Sequence, residues 1–276
     1  MTIQKKSSGV SGIIKTSMVD YQNNTPQTKP TSSSGLTIKV ANTIEEKEAV
    51  YRLCYQVYLE KDYITKNENE WLVNNYDFCD STVVLMVLDE QKNLAGTLTI
   101  VLEESQQMAV DKLYRNELFS LRASGKKLVE ISRLVINPKY RNYKEVMTML
   151  FNHLAIYTYH VKQYDNLVIE VVPRHVDYYI KLLCFEVLGG EKPCAVVKGA
   201  PVVLLNLPLL RYQNEIHRCH NSPIEKKERT LYQHFIKPEA EKLVACYLEN
   251  QVKKVTLEEK NYFGYIEKEL AGTALT

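Results

Sequence analysis

The sequence predicts an α/β fold: a mixed central sheet flanked by helices, with a helical appendage at its C-terminal end. Three observations predict it. Apolar runs of strand length alternate with helical periods across residues 36–208. Runs at 81–88 and 94–102 are joined by a short polar turn, as in an antiparallel hairpin, whereas those at 128–136 and 167–172 are separated by a long helical stretch, as in a βαβ unit. After residue 208 the chain becomes helix-forming throughout.

Residues 1–35 are rich in Ser, Thr, Asn, Gln, Lys and Gly and read as a flexible tail. Leu36, Ile38 and Val40 alternate with polar residues and predict a first strand. Asn42 or Thr43 can cap the helix that follows, with Glu45 and Glu46 in its first turn. That helix runs to about Tyr58, with Val50, Leu53, Cys54 and Val57 on one face. Residues 60–80 read as a long loop. The hairpin of 81–88 and 94–102 follows, turning at 89–93. A short helix is expected at 117–123, closed by Ser124 and Gly125, then a strand at 128–136 stopped by Asn137 and Pro138. A helix is expected over 143–161, its stripe formed by Val146, Leu150, His153 or Leu154, and Tyr157. Next come a strand at 167–172 stopped by Pro173, a helix at 176–183, and strands at 186–188 and 201–207 with Gly189 and Gly190 between them. The expected division is a tail at 1–35, an α/β domain at 36–208 and a helical extension at 209–276.

Composition narrows the function. With 35 Lys and Arg against 33 Asp and Glu, the net charge is +2, which argues against a dedicated nucleic-acid binder. Hydrophobic residues make up 45% of the chain and charged residues 25%, so it is neither a coiled coil nor wholly disordered. The six cysteines include no C-x-x-C pair. Residues 1–35 lack the apolar run of a signal peptide, so reduced thiols in a cytoplasmic protein are the expectation. The longest apolar run, 199–210, is interrupted by Pro201 and Pro208 and is too short to span a bilayer. His217 and His220 flank Cys219 without a second ligand pair, so no metal site is expected. P-loop, G-x-S-x-G and G-x-G-x-x-G motifs are all missing.

Four places carry chemistry. In the strand at 128–136, alternation sets Glu130, Ser132 and Leu134 on one face and Ile131, Arg133 and Val135 on the other. A glutamate and an arginine are costly to bury in an apolar strand, so they either pair with other charges or face a cleft. Residues 137–143 join that strand to a helix, and the junction is either an anion site reinforced by Lys139 and Arg141 or an ordinary polar loop. Residues 173–186 follow the carboxyl end of a strand, where α/β sheets open to ligands. There His175 and Tyr179 are candidate acids or hydrogen-bonding groups, although His175 also suits a helix cap. Arg52, Tyr55 and Tyr58, with Tyr76, Asp77 and Asp80, either clamp a small polar acceptor or form a solvated face.

The order of these elements resembles the GNAT acyltransferase fold. Y-I-K-L-L-C-F-E at 179–186 is similar to its Y-x-K-L-G-F-E segment, with one extra residue and Cys184 in place of glycine. R-L-C-Y-Q-V-Y at 52–58, Tyr76-Asp77 and V-E-I-S-R-L at 129–134 resemble the autoinducer-synthase-like branch. N-P-K-Y-R at 137–141, V-P-R-H-V-D-Y-Y at 172–179 and G-A-P-V-V-L-L at 199–205 resemble the N-acyl amino acid synthases. The resemblance covers about 37–207. It implies transfer of a long fatty acyl chain from the phosphopantetheine of an acyl carrier protein, with acyl-CoA as a possible donor, to the α-amine of an amino acid. No bound cofactor is implied.

Within that chemistry Glu130 is the best-placed general base, and desolvation would raise its pKa into a useful range. The resemblance further implies that backbone N–H groups near Leu134 and Val135 polarise the thioester and that Tyr179 protonates the leaving thiolate. Arg133 either pairs with Asp77 or clamps a substrate carboxylate, with the pair favoured. Arg52, Tyr58, Arg174 and His175 complete the expected substrate contacts. The junction at 140–146 has no glycine to cradle a pyrophosphate, so Lys139, Tyr140, Arg141 and Lys144 are expected to receive a carrier protein instead. An acyl-homoserine lactone synthase using S-adenosylmethionine shares Glu130 and Arg133 in E-x-x-R and is the nearest rival. A non-catalytic GNAT-like module that binds a carrier protein or partner is a rival of another class.

Overall fold

The structure, a computed structural model of the 276-residue chain, describes residues 35–104, 108–140, 142–221 and 229–264. Apart from Gly35, the tail expected at 1–35 lies outside them, as do Arg141 and residues 265–276 of the extension.

Seven strands form one sheet: β1 (Thr37–Val40), β2 (Thr82–Leu88), β3 (Leu94–Leu102), β4 (Leu128–Ile136), β5 (Asn166–Val171), β6 (Glu186–Cys194) and β7 (Ala200–Pro208). Their spatial order is β1-β2-β3-β4-β5-β7-β6. All neighbours are antiparallel except β4 and β5, which are joined by the crossover helix α3 (Tyr143–Ile156). A π-helical turn, Tyr157–Val161, finishes the helix expected over 143–161.

Before it, α1 (Ile44–Glu60) starts in a capping box. The Thr43 hydroxyl accepts from Glu46 N, and the Glu46 carboxylate accepts from Thr43 N. Between β3 and β4, α2 (Asp111–Ala123) begins six residues before the expected 117. Tyr114 leaves helical φ/ψ there, interrupting the 3.6-residue period, and the start signal is Asp111, whose carboxylate accepts from Met108 N. After β5, α4 (Pro173–Leu183) opens on the proline that stops the strand, so Arg174 and His175 lie in its first turn rather than in a loop. Gly189 and Gly190 lie inside β6 rather than between strands. A Cβ at Gly189 would come 2.6 Å from the Tyr114 ring.

One sheet face packs against α3 and the C-terminal helices α5 (Leu209–Asn221) and α6 (Pro238–Gln251). The other face carries two smaller clusters. One lies under α1 with Val50, Cys54, Val84 and Val135, and the other under α2 with Tyr114, Leu118, Leu128 and Val168. The last helix, α7 (Leu257–Tyr262), returns to α1, and Phe263 just after it meets Tyr51 and Trp71 edge-on. Among the described residues no helix is long and apolar enough to cross a membrane.

Candidate active site

The site begins with an irregularity in β4. The β3–β4 register moves from Thr97↔Val135 to Thr99↔Ser132, so β4 carries one residue more than its partner. The extra residue is accommodated at Arg133, whose φ of 44° is left-handed and unusual for a side chain of this size. This corrects the strict alternation expected from the sequence. Beyond the bulge, Leu134 and Ile136 pack on the α3 side, while Arg133 and Val135 join Glu130 and Ser132 on the face between the two smaller clusters.

Both terminal nitrogens of Arg133 are held. Its guanidinium donates to both Asp77 oxygens, to Leu72 O at 2.8 Å and to Thr99 Oγ1 at 3.0 Å. It lies 4.9 Å from the Tyr51 ring centroid and 5.1 Å from that of Tyr76. Both partners of the ion pair are buried. Of the two roles considered, the pairing is what the geometry shows. Neither Asp77 nor the forked end of Arg133 is left to clamp a substrate.

A second irregularity opens the sheet. Parallel pairing of β4 and β5 runs from Leu128↔Asn166 to Ile131↔Ile169 and stops. β4 continues to Ile136, while β5 ends at Val171, held on its other edge by β7 from Asn166↔Pro208 to Val171↔Val203. The two strands part, and a cavity of about 670 Å³ reaches into the gap. This volume lies in the range of small-molecule sites. β4 contributes Glu130, Ser132, Leu134 and Val135 to its walls, and β5 contributes Glu170. Tyr58 from α1, Tyr76 from the 60–80 segment and Tyr179 from α4 face it from the sides.

Glu130 is only 4% exposed, and Val110 N donates to its Oε2 at 3.3 Å. Burial, reinforced by the neighbouring Glu170 carboxylate, pushes its carboxyl up to about 8. Tyr179 is buried edge-on against Phe151 and Phe185, and burial raises its hydroxyl far above the usual tyrosine value. Tyr76 and Ser132 hydroxyls meet at 2.8 Å, and Asn74 Nδ2 donates to Tyr76. Arg174 and His175 border the cavity with Lys61 and Lys112. Arg174 donates to Tyr63 OH at 2.8 Å. Burial, with the charges of Arg174 and Lys61, lowers the His175 pKa.

The other expected contacts lie elsewhere. Arg52 does not border the cavity. It is bound by the i−4 carboxylate of Glu48 at 2.7 Å and lies over the Trp71 ring. Lys139, Tyr140 and Lys144 also lie off the cavity walls. The Tyr140 hydroxyl donates to Asp89 at the β2–β3 turn, and Lys144 Nζ is 3.2 Å from His234 Nε2. Arg141, the fourth expected residue, is outside the described residues. Glu170 was not among the residues singled out from the sequence. The criterion that marks Glu130, a carboxylate in an apolar strand, marks it equally in N-L-V-I-E-V.

A sequence profile of the family N-acyl amino acid synthase FeeM matches residues 49–208. Among solved structures, FeeM, an N-acyl amino acid synthase from uncultured soil microbes, superposes with a TM-score of 0.57 at 22% identity, covering 65% of this chain and 93% of that one. The AHL synthase LasI gives 0.49 at 16% identity over 64% and 91% of the two chains. An acetyltransferase of the GNAT family from Streptococcus pneumoniae gives 0.44 at 16% over 63% and 99%. No curated protein matches the sequence. The FeeM superposition agrees with the mixed α/β fold described above.

Proposed function

The chain belongs to the N-acyl amino acid synthase FeeM family and is an acyltransferase, and on that premise we propose that it moves a fatty acyl group from the phosphopantetheine thioester of an acyl carrier protein to the α-amine of an amino acid. The observation that carries the proposal is the buried Glu130 in the wall of an open cavity where β4 and β5 part.

The steps follow from the groups present. An ionised Glu130 takes a proton from the acceptor's α-ammonium. The freed nitrogen attacks the thioester carbonyl carbon, a C–N bond forms, and the carbonyl π pair moves onto oxygen. β4 lacks a β5 partner beyond Ile131, so a backbone N–H on that edge of β4, near Leu134, is suited to stabilise that oxyanion. When the carbonyl re-forms, the C–S bond breaks and the thiolate takes the Tyr179 proton. The surplus proton on nitrogen then returns to the Tyr179 oxygen through water. Arg133 acts on none of these atoms. It holds the bulge that brings Val135 to the face already occupied by Glu130 and Ser132.

The donor assignment is supported by the start of α3. Nucleotide pyrophosphates favour glycine-rich turns that feed a free helix N-terminus. Here the first turn of α3 carries its own carboxylate, Glu145, which accepts from Asn142 Nδ2 at 2.6 Å, and residues 140–146 contain no glycine. A single tethered phosphate at the protein surface suits that junction better than a free pyrophosphate.

The test supplies the purified protein with the twenty common L-amino acids and S-adenosylmethionine. It compares acyl carrier protein with acyl-CoA at matched concentration and identifies products by mass spectrometry. The expected product is an N-acyl amino acid, formed faster from the carrier protein and slowed by salt. Faster transfer from acyl-CoA overturns the donor assignment, and an acyl-homoserine lactone overturns the acceptor.

A further inference from the structure

We infer that Glu170 contacts the acceptor: its carboxylate receives the protonated α-amine across the gap from Glu130, so the site selects molecules that carry a primary ammonium. This rests on the N-acyltransferase reading above.

The register places the two carboxylates together. Glu130 stands opposite Val168, and Glu170 lies two residues further along β5 on the same face, the diagonal neighbour. Val168 packs in the α2-side cluster with Leu128, whereas Leu167, Ile169 and Val171 belong to the opposite core. Because β5 leaves β4 after Ile169, Glu170 sits on the far bank of the opening and lines the cavity. Its Oε1 is buried and has no hydrogen-bond partner. Among the described residues no lysine or arginine nitrogen lies within 4.0 Å of its carboxylate. Lys112, an exposed residue in the first turn of α2, is the cation that bears on it.

A carboxylate oxygen buried without a hydrogen-bond donor is costly, and Glu170 Oε1 is one. Burial accordingly holds the Glu170 carboxyl up at about 7. An ammonium supplies the N–H donor that is missing. Its three donors can be divided so that one proton passes to Glu130 while Glu170 retains another, which leaves the lone pair directed by two fixed groups. The cavity border that carries Lys61, Lys112 and Arg174 is cationic and suits the carboxylate of the same molecule. The acceptor therefore lies with its amine in the gap and its acid group toward that border.

Two measurements test this. In Glu170→Gln, the KM for the acceptor amino acid should rise about tenfold or more, with the donor KM unchanged and kcat within about threefold. In the wild type, n-butylamine should suppress N-acyl amino acid formation competitively with the amino acid, and n-butanol of similar length should not. An acceptor KM unchanged in Glu170→Gln overturns the assignment, as does equal inhibition by n-butanol. A wild-type protein that transfers to none of the twenty amino acids overturns the function itself and is told apart by that result.

Discussion

Replacing Glu130 with glutamine should move activity and stability in opposite directions. The side chain is buried, and its carboxyl is pushed up to about 8 from the ordinary 4.5, first by burial. The charges facing it are Glu170 across the gap and Asp111, itself held by Arg122. The folded protein therefore keeps a proton that the unfolded chain releases between pH 4.5 and about 8. Over that window the unfolded state binds fewer protons, so stability falls as pH rises and levels off above about 8. Each pH unit costs ~1.4 kcal/mol, so the whole window is worth on the order of 5 kcal/mol as an upper bound. Water in the cavity reduces it. Glutamine keeps an acceptor for Val110 N but never ionises. We expect Glu130→Gln to gain about 2 kcal/mol or more at pH 9, roughly 5 °C in melting temperature, and almost nothing at pH 5. Turnover should fall about 100-fold or more, the scale of a lost general base. The wild-type rate should rise with pH toward about 8 as the carboxylate ionises. Calorimetric melts at pH 5 and 9, beside steady-state acyl transfer, read both effects. A variant equally destabilised at both pH values, with near-normal turnover, would make Glu130 a packing partner and refute the reasoning.

Three further outcomes follow from the same geometry. Asp77→Ala leaves the Arg133 guanidinium buried without its carboxylate and should cost about 3–5 kcal/mol in urea unfolding, whereas Arg52→Ala, which removes a surface pair, should cost under about 1. Tyr179→Phe keeps the ring among Phe151 and Phe185 but removes the leaving-group proton, so turnover should fall about tenfold or more at unchanged donor KM, and an unchanged kcat would take Tyr179 out of the chemistry. Phe263→Ala removes the ring that braces Trp71, whose neighbours Leu72 and Val73 line the cavity. It should cost about 3 kcal/mol and raise the acceptor KM severalfold, and a melt shift without a KM change would separate the C-terminal helix from the site.

The sequence alone determined what is written in local patterns. The apolar run at 128–136 is β4 to the residue, because its composition and the Asn137-Pro138 stop are sufficient. Thr43 with Glu46 is a capping box that needs no partner from elsewhere in the chain. Glu130 stands out because burying a carboxylate in an apolar strand demands a reason, whereas Arg133 is left two partners, Asp77 or a substrate carboxylate, with Asp77 favoured, and the structure shows the Asp77 pair. Tertiary structure decided the remainder. The bulge at Arg133, which brings Ser132 and Arg133 to the same face, depends on how β4 registers with β3, a pairing between segments about 30 residues apart. The parting of β4 from β5 is a matter of where their shared register ends, at Ile131↔Ile169, while β7, from a later part of the chain, holds the other edge of β5 through Val171. The contact of Arg52 with the Trp71 ring depends on the loop that carries Trp71 to it. A period-two pattern sees only its own strand. A bulge, a splay and a cavity are relations between strands, set when long-range hydrogen bonds select one register among several that the local pattern allows.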